Sequence, residues 1–264
     1  MEARRERLNK IMHTVRIYGT ATVRELSEKL KVSHMTIRRD LNLLVQENVL
    51  RFIHGGVAIG AVNRGSGLKA KENEPHYSLR DEESVMIDEK KRIARFAASL
   101  IEAGDIIIVD GGSTTGFMSD FISDDISLTV ICYALNILTG IRNKKNCKII
   151  FPGGYFHEDT LVFESPESIE FIKRQRANKA FISARAVNAT LGVTTGLPYE
   201  VAIKKAVLGS SLIKILLVDS SKFGRVRATY FADLKDFDVI ITDTGIPDEY
   251  MRVIQDLGIA INII

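Results

Sequence analysis

The stretch "DGGSTT", Asp110 to Thr115, follows the apolar run "IIIV" and reads as a strand, a glycine turn and a helix start. Gly111 and Gly112 permit close backbone approach. Ser113, Thr114 and Thr115 add hydroxyls beside the free N–H groups of the helix start. A loop of this kind suits an anion such as a phosphate. It is not a nucleotide-binding P-loop, because the Gly-Lys-Ser/Thr ending is missing. A second glycine turn, Gly153-Gly154 in "FPGGYF", also follows an apolar run. Asp110, Asp219 and Asp243 each close such a run. Lys222 comes shortly after Asp219, and Glu200 falls in the first turn of a helix in "TTGLPYEVAIKKAV". Each residue has a plain structural reading: Asp110 as a helix cap, Glu200 as the complement of its own helix dipole, Lys222 as a surface lysine. Their shared position at strand ends, where open α/β sheets bind ligands, favours an effector pocket.

A second group lies in "SHMTIRRDLNLL". Ser33 is a good N-cap. With Ile37, Leu41 and Leu44 on the buried face, Arg39 points away from the core, Arg38 lies at one edge, and Met35, Thr36 and Asn42 flank it. Cation, hydroxyl, amide and apolar tip together suit the phosphates and base edges of double-stranded DNA. Ser33, Met35, Thr36, Arg38, Arg39 and Asn42 are therefore the candidate DNA-binding residues. Solvated arginines on an amphipathic helix are the bland alternative.

The elements that must position these groups fall into two patterns. Residues 1–60 read as three helices and a hairpin. The first helix is Arg4–Tyr18, ended by Gly19; the second is Val23–Leu30, with Thr22 and Glu25 at capping-box spacing. The third follows the turn Lys31-Val32, and "VLRFIHGGVAI" makes two short strands around Gly55-Gly56. Helix, short turn, helix and hairpin describe a winged helix-turn-helix. This segment holds 11 Lys/Arg and 6 Asp/Glu, whereas the rest of the chain holds 25 and 27. A small basic module on a slightly acidic chain fits a polyanionic partner. Residues 61–84 lack apolar periodicity and read as a linker. From residue 85, apolar runs ("IIIV", "LTVI", "KIIF", "KAFIS", "KILLV", "DVIIT", "IAINI") alternate with helical segments. That alternation predicts a mostly parallel α/β sheet covered on both faces. The opening "MEARRERLNKIMH" lacks the apolar core of a signal peptide, and two cysteines make neither a disulfide framework nor a zinc site. A cytoplasmic protein without membrane span, metal or cofactor is expected.

The segments "RRERLNKIM", "TVRELSEKLKVSHMTIRRDLNLL" and "VLRFIHGG" closely resemble the N-terminal module of DeoR-type bacterial transcriptional regulators. The resemblance implies that Thr36, Arg38 and Arg39 lie on a recognition helix at DNA, with Asp40 an internal partner that orients an arginine or caps a neighbour. "EKKRIAR", "DGGSTT", "PGG", "TTGLPYEVAIKKAV" and "VDSSKFGR" resemble landmarks of the family's sensor domain. That domain is similar in fold to ribose-5-phosphate isomerase and generally senses phosphorylated sugars. One departure stands out. Where many members carry a Gly-Ala-Asp-Gly-like loop, this chain reads "ISARAV", Ile182 to Val187, without the aspartate and with Arg185. "CYALN", "GGYFH" and "SKFGRVRA" resemble the branch for which deoxyribose-5-phosphate is the implied inducer.

The expected protein is a non-enzymatic regulator, a repressor of a carbohydrate or nucleoside catabolic operon relieved by a phosphorylated sugar. The alternative is a sugar-phosphate isomerase-like enzyme using Asp110, Glu200 and Lys222. One module of ~60 residues contacts too little DNA for a rare site, so a homo-oligomer, at least a dimer, is expected.

Overall fold

The structure, a computed structural model, describes residues 7, 8, 10–12, 14, 15, 20–46, 50–53, 56–59 and 77–264. It divides into two compact units, residues 1–73 and 74–264.

In the first unit, helical residues 7, 8, 10–12, 14 and 15 precede strand β1 (Thr20–Thr22), the helices Val23–Leu30 and His34–Gln46, and strands β2 (Leu50–Ile53) and β3 (Gly56–Ile59). The expected ends of the first helix, at Arg4 and Tyr18, and its stop at Gly19 lie outside the described residues, as does Gly55. Thr22 caps Val23–Leu30 with a full capping box: its hydroxyl accepts from Glu25 N–H at 3.1 Å, and its own N–H donates to Glu25 Oε2 at 2.8 Å. Lys31 turns the chain in the left-handed region (φ 53°), and Ser27 Oγ donates to Val32 O at 2.7 Å. That lock keeps the turn between the two helices short. Ile11, Val15, Leu26, Ile37, Leu41, Leu44, Leu50 and Val57 form one core. The sheet order is β1-β3-β2, antiparallel throughout. Strand β1 was not expected; three residues between a helix end and a cap carry no readable alternation.

In the second unit, seven strands form one parallel sheet: β4 (Ile106–Val109), β5 (Leu128–Cys132), β6 (Cys147–Ile150), β9 (Ala177–Ser183), β12 (Ser211–Leu217), β14 (Val239–Thr242) and β15 (Ala260–Ile263). Their order is β15-β14-β12-β9-β4-β5-β6. From β4 the chain moves outward through β5 and β6. It then returns to the other side of β4 as β9 and moves outward again. Right-handed crossovers in opposite directions put their helices on opposite faces. Ile87–Ser99 packs against Ser113–Phe117, and Pro166–Arg174 against Pro198–Gly209. Two small antiparallel sheets cap the carboxyl end. One pairs β7 (Tyr155–His157) with β8 (Val162–Glu164); the other has the order β10-β11-β13, made of Ala186–Asn188, Gly192–Thr195 and Thr229–Ala232. Cys132 is fully buried, and burial pushes its thiol up to about 12, so it serves as a small apolar group.

Within the expected linker, Leu79–Glu83 forms a helix belonging to the second unit. Apolar periodicity misses it because Leu79 alone is buried there. Among the described residues no helix is long and apolar enough to cross a membrane.

Candidate functional sites

On the helix His34–Gln46, Ile37, Leu41 and Leu44 are buried, while Met35, Arg38, Arg39 and Asn42 are exposed. Positions 35, 38, 39 and 42 follow the i, i+3, i+4, i+7 spacing of a single helical stripe. Met35, 61% exposed, is an apolar tip that no packing within this unit explains. Ser33 is the cap: its Oγ accepts from Thr36 N–H at 3.1 Å and lies 2.9 Å from Thr36 Oγ1. Both hydroxyls therefore spend part of their capacity on the helix start. Asp40 is buried and accepts from Arg7 Nε at 2.5 Å. It is an internal partner of an arginine, tying the first helix to the third.

The second site lies at the carboxyl ends of β4 and β9, where the strand order reverses. Open α/β sheets leave a ligand crevice at such a point. Asp110 follows β4, and its N–H donates to Phe181 O at 3.0 Å. Its carboxylate accepts from protein donors on both oxygens. Tyr133 O–H donates to Oδ1, while Ser183 N–H (2.9 Å) and the Lys204 ammonium donate to Oδ2; the single Ser183 hydroxyl proton is shared between Gly111 O at 2.7 Å and Oδ2 at 2.9 Å. Lys204 also donates to Ser183 O at 3.0 Å and lies 5.3 Å from the centre of the Phe231 ring. Burial, with the Asp110 charge added, holds the Tyr133 phenol well above its ordinary value, so it stays a donor.

The glycines of the loop are needed for packing. A Cβ on Gly111 would lie 2.7 Å from Val162 Cγ2, and one on Gly112 would lie 2.6 Å from the Ser183 side chain. Expected freedom for an anion is thus, at Gly111 and Gly112, contact with β8 and β9. Gly154 has φ +134°, and its Cβ would meet the Glu164 backbone at 2.7 Å; Gly153, at φ +72°, has open space. Ser113, Thr114 and Thr115 are all buried. Thr115 Oγ1 donates to Gly112 O at 3.2 Å, and Asn136 Nδ2 donates to the same oxygen at 3.1 Å.

Glu200 sits in the first turn of Pro198–Gly209 and is buried. It accepts from Thr195 Oγ1, and Arg185 Nη2 lies 3.6 Å from its Oε2. The Arg185 guanidinium stacks on Tyr77 at 3.2 Å. Burial raises the Tyr77 phenol far above its ordinary value; the charges of Arg185, Glu82, Glu200 and Asp159 all act on it, which places these groups around one ring. Lys222 is held by Glu82, and so is Lys90, whose Nζ is 3.2 Å from Glu82 Oε1. Burial pushes the Glu82 carboxyl up, but Lys222 and Lys90 outweigh it and hold it below the usual range. Burial lowers Lys90, with Glu82 opposing. Asp219 caps the turn Ser220–Lys222 through Oδ1, and Asp243 accepts from Ser220 N–H and Gly245 N–H.

The sequence-derived residues therefore form neighbouring clusters with distinct partners. Asp110 and the glycines meet Ser183 and Lys204; Glu200 meets Arg185; Lys222 meets Glu82. Lys204, Tyr133, Tyr77, Glu82 and Lys90 escaped the sequence reading. Lys204 left one signal: it lies four residues after Glu200, on the same helix face.

Residues 7–61 match the DeoR-like helix-turn-helix domain, and residues 85–244 match the DeoR C-terminal sensor domain. The chain is 32% identical over 256 residues to the deoxyribose operon repressor of Escherichia coli (strain K12), covering 97% of each. It is 33% identical over 251 residues to YulB, an uncharacterized HTH-type transcriptional regulator of Bacillus subtilis (strain 168), covering 95% of this chain and 93% of that one. It is 31% identical over 242 residues to the lactose phosphotransferase system repressor of Staphylococcus epidermidis, covering 91% and 92%. Among solved structures, ribose 5-phosphate isomerase from Plasmodium falciparum matches at TM-score 0.38 and 16% identity over 52% of this chain and 53% of that one, a likeness too slight to carry an argument.

Proposed function

Because this chain belongs to the DeoR family of transcriptional regulators, we propose that it represses a carbohydrate or nucleoside catabolic operon and releases its operator when a phosphorylated sugar binds the second unit. The observation that carries the DNA-reading half is the exposed stripe Met35, Arg38, Arg39, Asn42 opposite a buried Ile37, Leu41 and Leu44. Arginine gives bidentate contact to guanine or phosphate, asparagine to adenine, and Met35 an apolar contact. Ser33 and Thr36 set the helix start and add hydroxyls at its DNA-proximal end.

For the effector, the supporting feature is a concentration of polar groups at the strand reversal. The phosphate is assigned to Ser113, Thr114, Thr115 and Lys222. Among the described residues, the Ser113 and Thr114 hydroxyls make no hydrogen bond, which leaves them free for a ligand. The sugar end is assigned toward Glu200, Arg185 and the Gly153-Gly154 turn. Asp110 orients this site through Lys204 and Ser183. The helix-turn-helix match over residues 7–61 favours a regulator over the isomerase alternative. The name of the Escherichia coli relative makes deoxyribose-5-phosphate the first sugar to try. The functional form is a cytoplasmic homo-oligomer, at least a dimer, that spans two half-sites.

A gel-shift titration of the operator against deoxyribose-5-phosphate, ribose-5-phosphate, lactose-derived phosphates and the free sugars tests this. Release by a phosphorylated sugar, with no new product formed, is expected. Release by free sugars, or turnover of a phosphate, would refute it.

A further inference from the structure

We infer that Lys90 and Lys222 form an anion site occupied in this structure by the carboxylate of Glu82, and that a phosphate-bearing effector takes the site by expelling that carboxylate. The inference rests on the assignment of Lys222 to the effector phosphate and adds Lys90, Glu82 and an exchange mechanism to it.

Both ammonium groups converge on one oxygen, Glu82 Oε1. Lys90 is 0% exposed and the Lys222 side chain 12%, so neither solvates its charge in water. The remaining charges are Asp219 and, beyond ion-pair distance of Lys90, the half-buried Glu83. Asp219 Oδ2 lies 3.9 Å from both Nζ atoms, is fully buried and has no hydrogen-bond partner. Without Glu82 the two buried ammonium groups keep only Asp219, at 3.9 Å, within ion-pair distance, with Glu83 further from Lys90, so an anion-sized vacancy opens beside two cations. One carboxylate oxygen serves two ammonium groups poorly; a phosphate offers three terminal oxygens for them. The orphaned Asp219 oxygen then faces the ligand as an acceptor and suits a neighbouring hydroxyl, the chemistry of a polyol phosphate. The helices carrying Glu82 and Lys90 both pack against Ser113–Phe117, so the free hydroxyls of Ser113 and Thr114 belong to the same neighbourhood.

The exchange has a mechanical consequence. Glu82 lies on a strap, Tyr77–Glu83, held by Tyr77 on Arg185, Leu79 N–H to Asp159 O at 2.8 Å, Lys90 Nζ to the Glu82 backbone O at 2.5 Å, and the Glu82 carboxylate on the two lysines. The strap begins within a few residues of Asn73, where the first unit ends. It is the covalent tether of the DNA-binding unit. An effector that replaces Glu82 removes the ionic anchor of that tether, so it binds the released state better and shifts the population.

The sign of one substitution decides the matter. If Glu82 competes with the ligand, Glu82→Gln removes the competitor and tightens binding. A purely structural Glu82 predicts weaker or unchanged binding. Titration calorimetry on the full chain uses inorganic phosphate and ribose-5-phosphate as probes. Binding on the order of ten-fold tighter in Glu82→Gln is expected, within the usual range of coupling, and loss of binding in Lys90→Met. Equal or weaker binding in Glu82→Gln, while Lys222→Met still abolishes it, overturns the exchange and leaves the phosphate assignment standing. No binding of either probe to any form overturns both. Hydrogen exchange on the wild-type chain avoids any folding defect of the variants. The amides of residues 79–83 should exchange faster with ribose-5-phosphate present, and slower or unchanged exchange overturns the proposal.

Discussion

Replacing Lys204 by methionine removes the only cation among the described residues that donates to the Asp110 carboxylate. Lys204 and Asp110 are 3% and 2% exposed, so water cannot take over. Breaking a buried pair from one side costs ~3–5 kcal/mol, most of it the charge left behind. Asp110 keeps Tyr133 O–H and Ser183 N–H as donors, with the Ser183 hydroxyl shared with Gly111 O, while Ser183 O loses its ammonium. The low end, about 3 kcal/mol, is therefore expected. For a unit the size of residues 74–264, each kcal/mol shifts the midpoint by ~2–4 °C, giving a drop of about 6–12 °C. Thermal and urea unfolding followed by circular dichroism measure it. The double variant Lys204→Met, Asp110→Asn should recover at least ~1 kcal/mol relative to the sum of the single changes, because the pair is then removed from both sides. A Lys204→Met loss below about 1 kcal/mol, with additive double-variant data, would show that the ammonium does not hold Asp110.

Arg39→Ala should weaken operator binding by ~1–3 kcal/mol with the fold intact; gel shifts at fixed salt read it, and unchanged affinity removes Arg39 from the reading face. Light scattering at micromolar concentration should give at least a dimer, and a monomer with and without operator would contradict the two-half-site requirement. The Glu82 carboxyl is held below its ordinary value, so its stabilising contribution is present above about pH 4.3 and is lost as pH falls through the lowered value. Urea midpoints of wild type and Glu82→Gln should thus converge in acid, and a constant gap down to pH 3 would contradict the pairing. Gly154→Ala should destabilise the second unit, since it strains φ +134° and drives a methyl into the Glu164 backbone; Gly153→Ala is the milder control, strained at φ +72° but without a clash.

All seven parallel strands were legible as apolar runs; for the inner strands the reason is burial on both faces, whereas the edge strands β6 and β15 keep apolar letters although they are only partly covered. The small antiparallel pieces were not. Tyr155 and Phe156 in β7 are both exposed, so their apolar letters misstate their surroundings. Asp110 was legible as a polar residue ending an apolar strand. Lys204 was not, because a lysine in a helix defaults to solvent, and its acceptor lies 94 positions away. Glu82 and Lys222 are 140 positions apart, a separation at which no spacing rule operates. On the helix His34–Gln46 the opposite holds: cap, buried stripe and exposed stripe are all local, and the sequence reading and the structure agree residue by residue at Ile37, Leu41 and Leu44.

The pairing of β4 with β9 also bears on how the chain is made. Val109 faces Phe181, which leaves the ribosome about 70 residues later. At ~5–20 residues per second that is several seconds. Through that interval Ile107, Ile108 and Val109 can pair on the β5 side while their other edge stays bare, an apolar template for any nascent neighbour. A central strand that waits so long for its second partner makes this half slow to complete and dependent on being shielded at birth. Substitutions that weaken β9 should therefore appear first as lost soluble yield, before any change in the finished molecule is measurable.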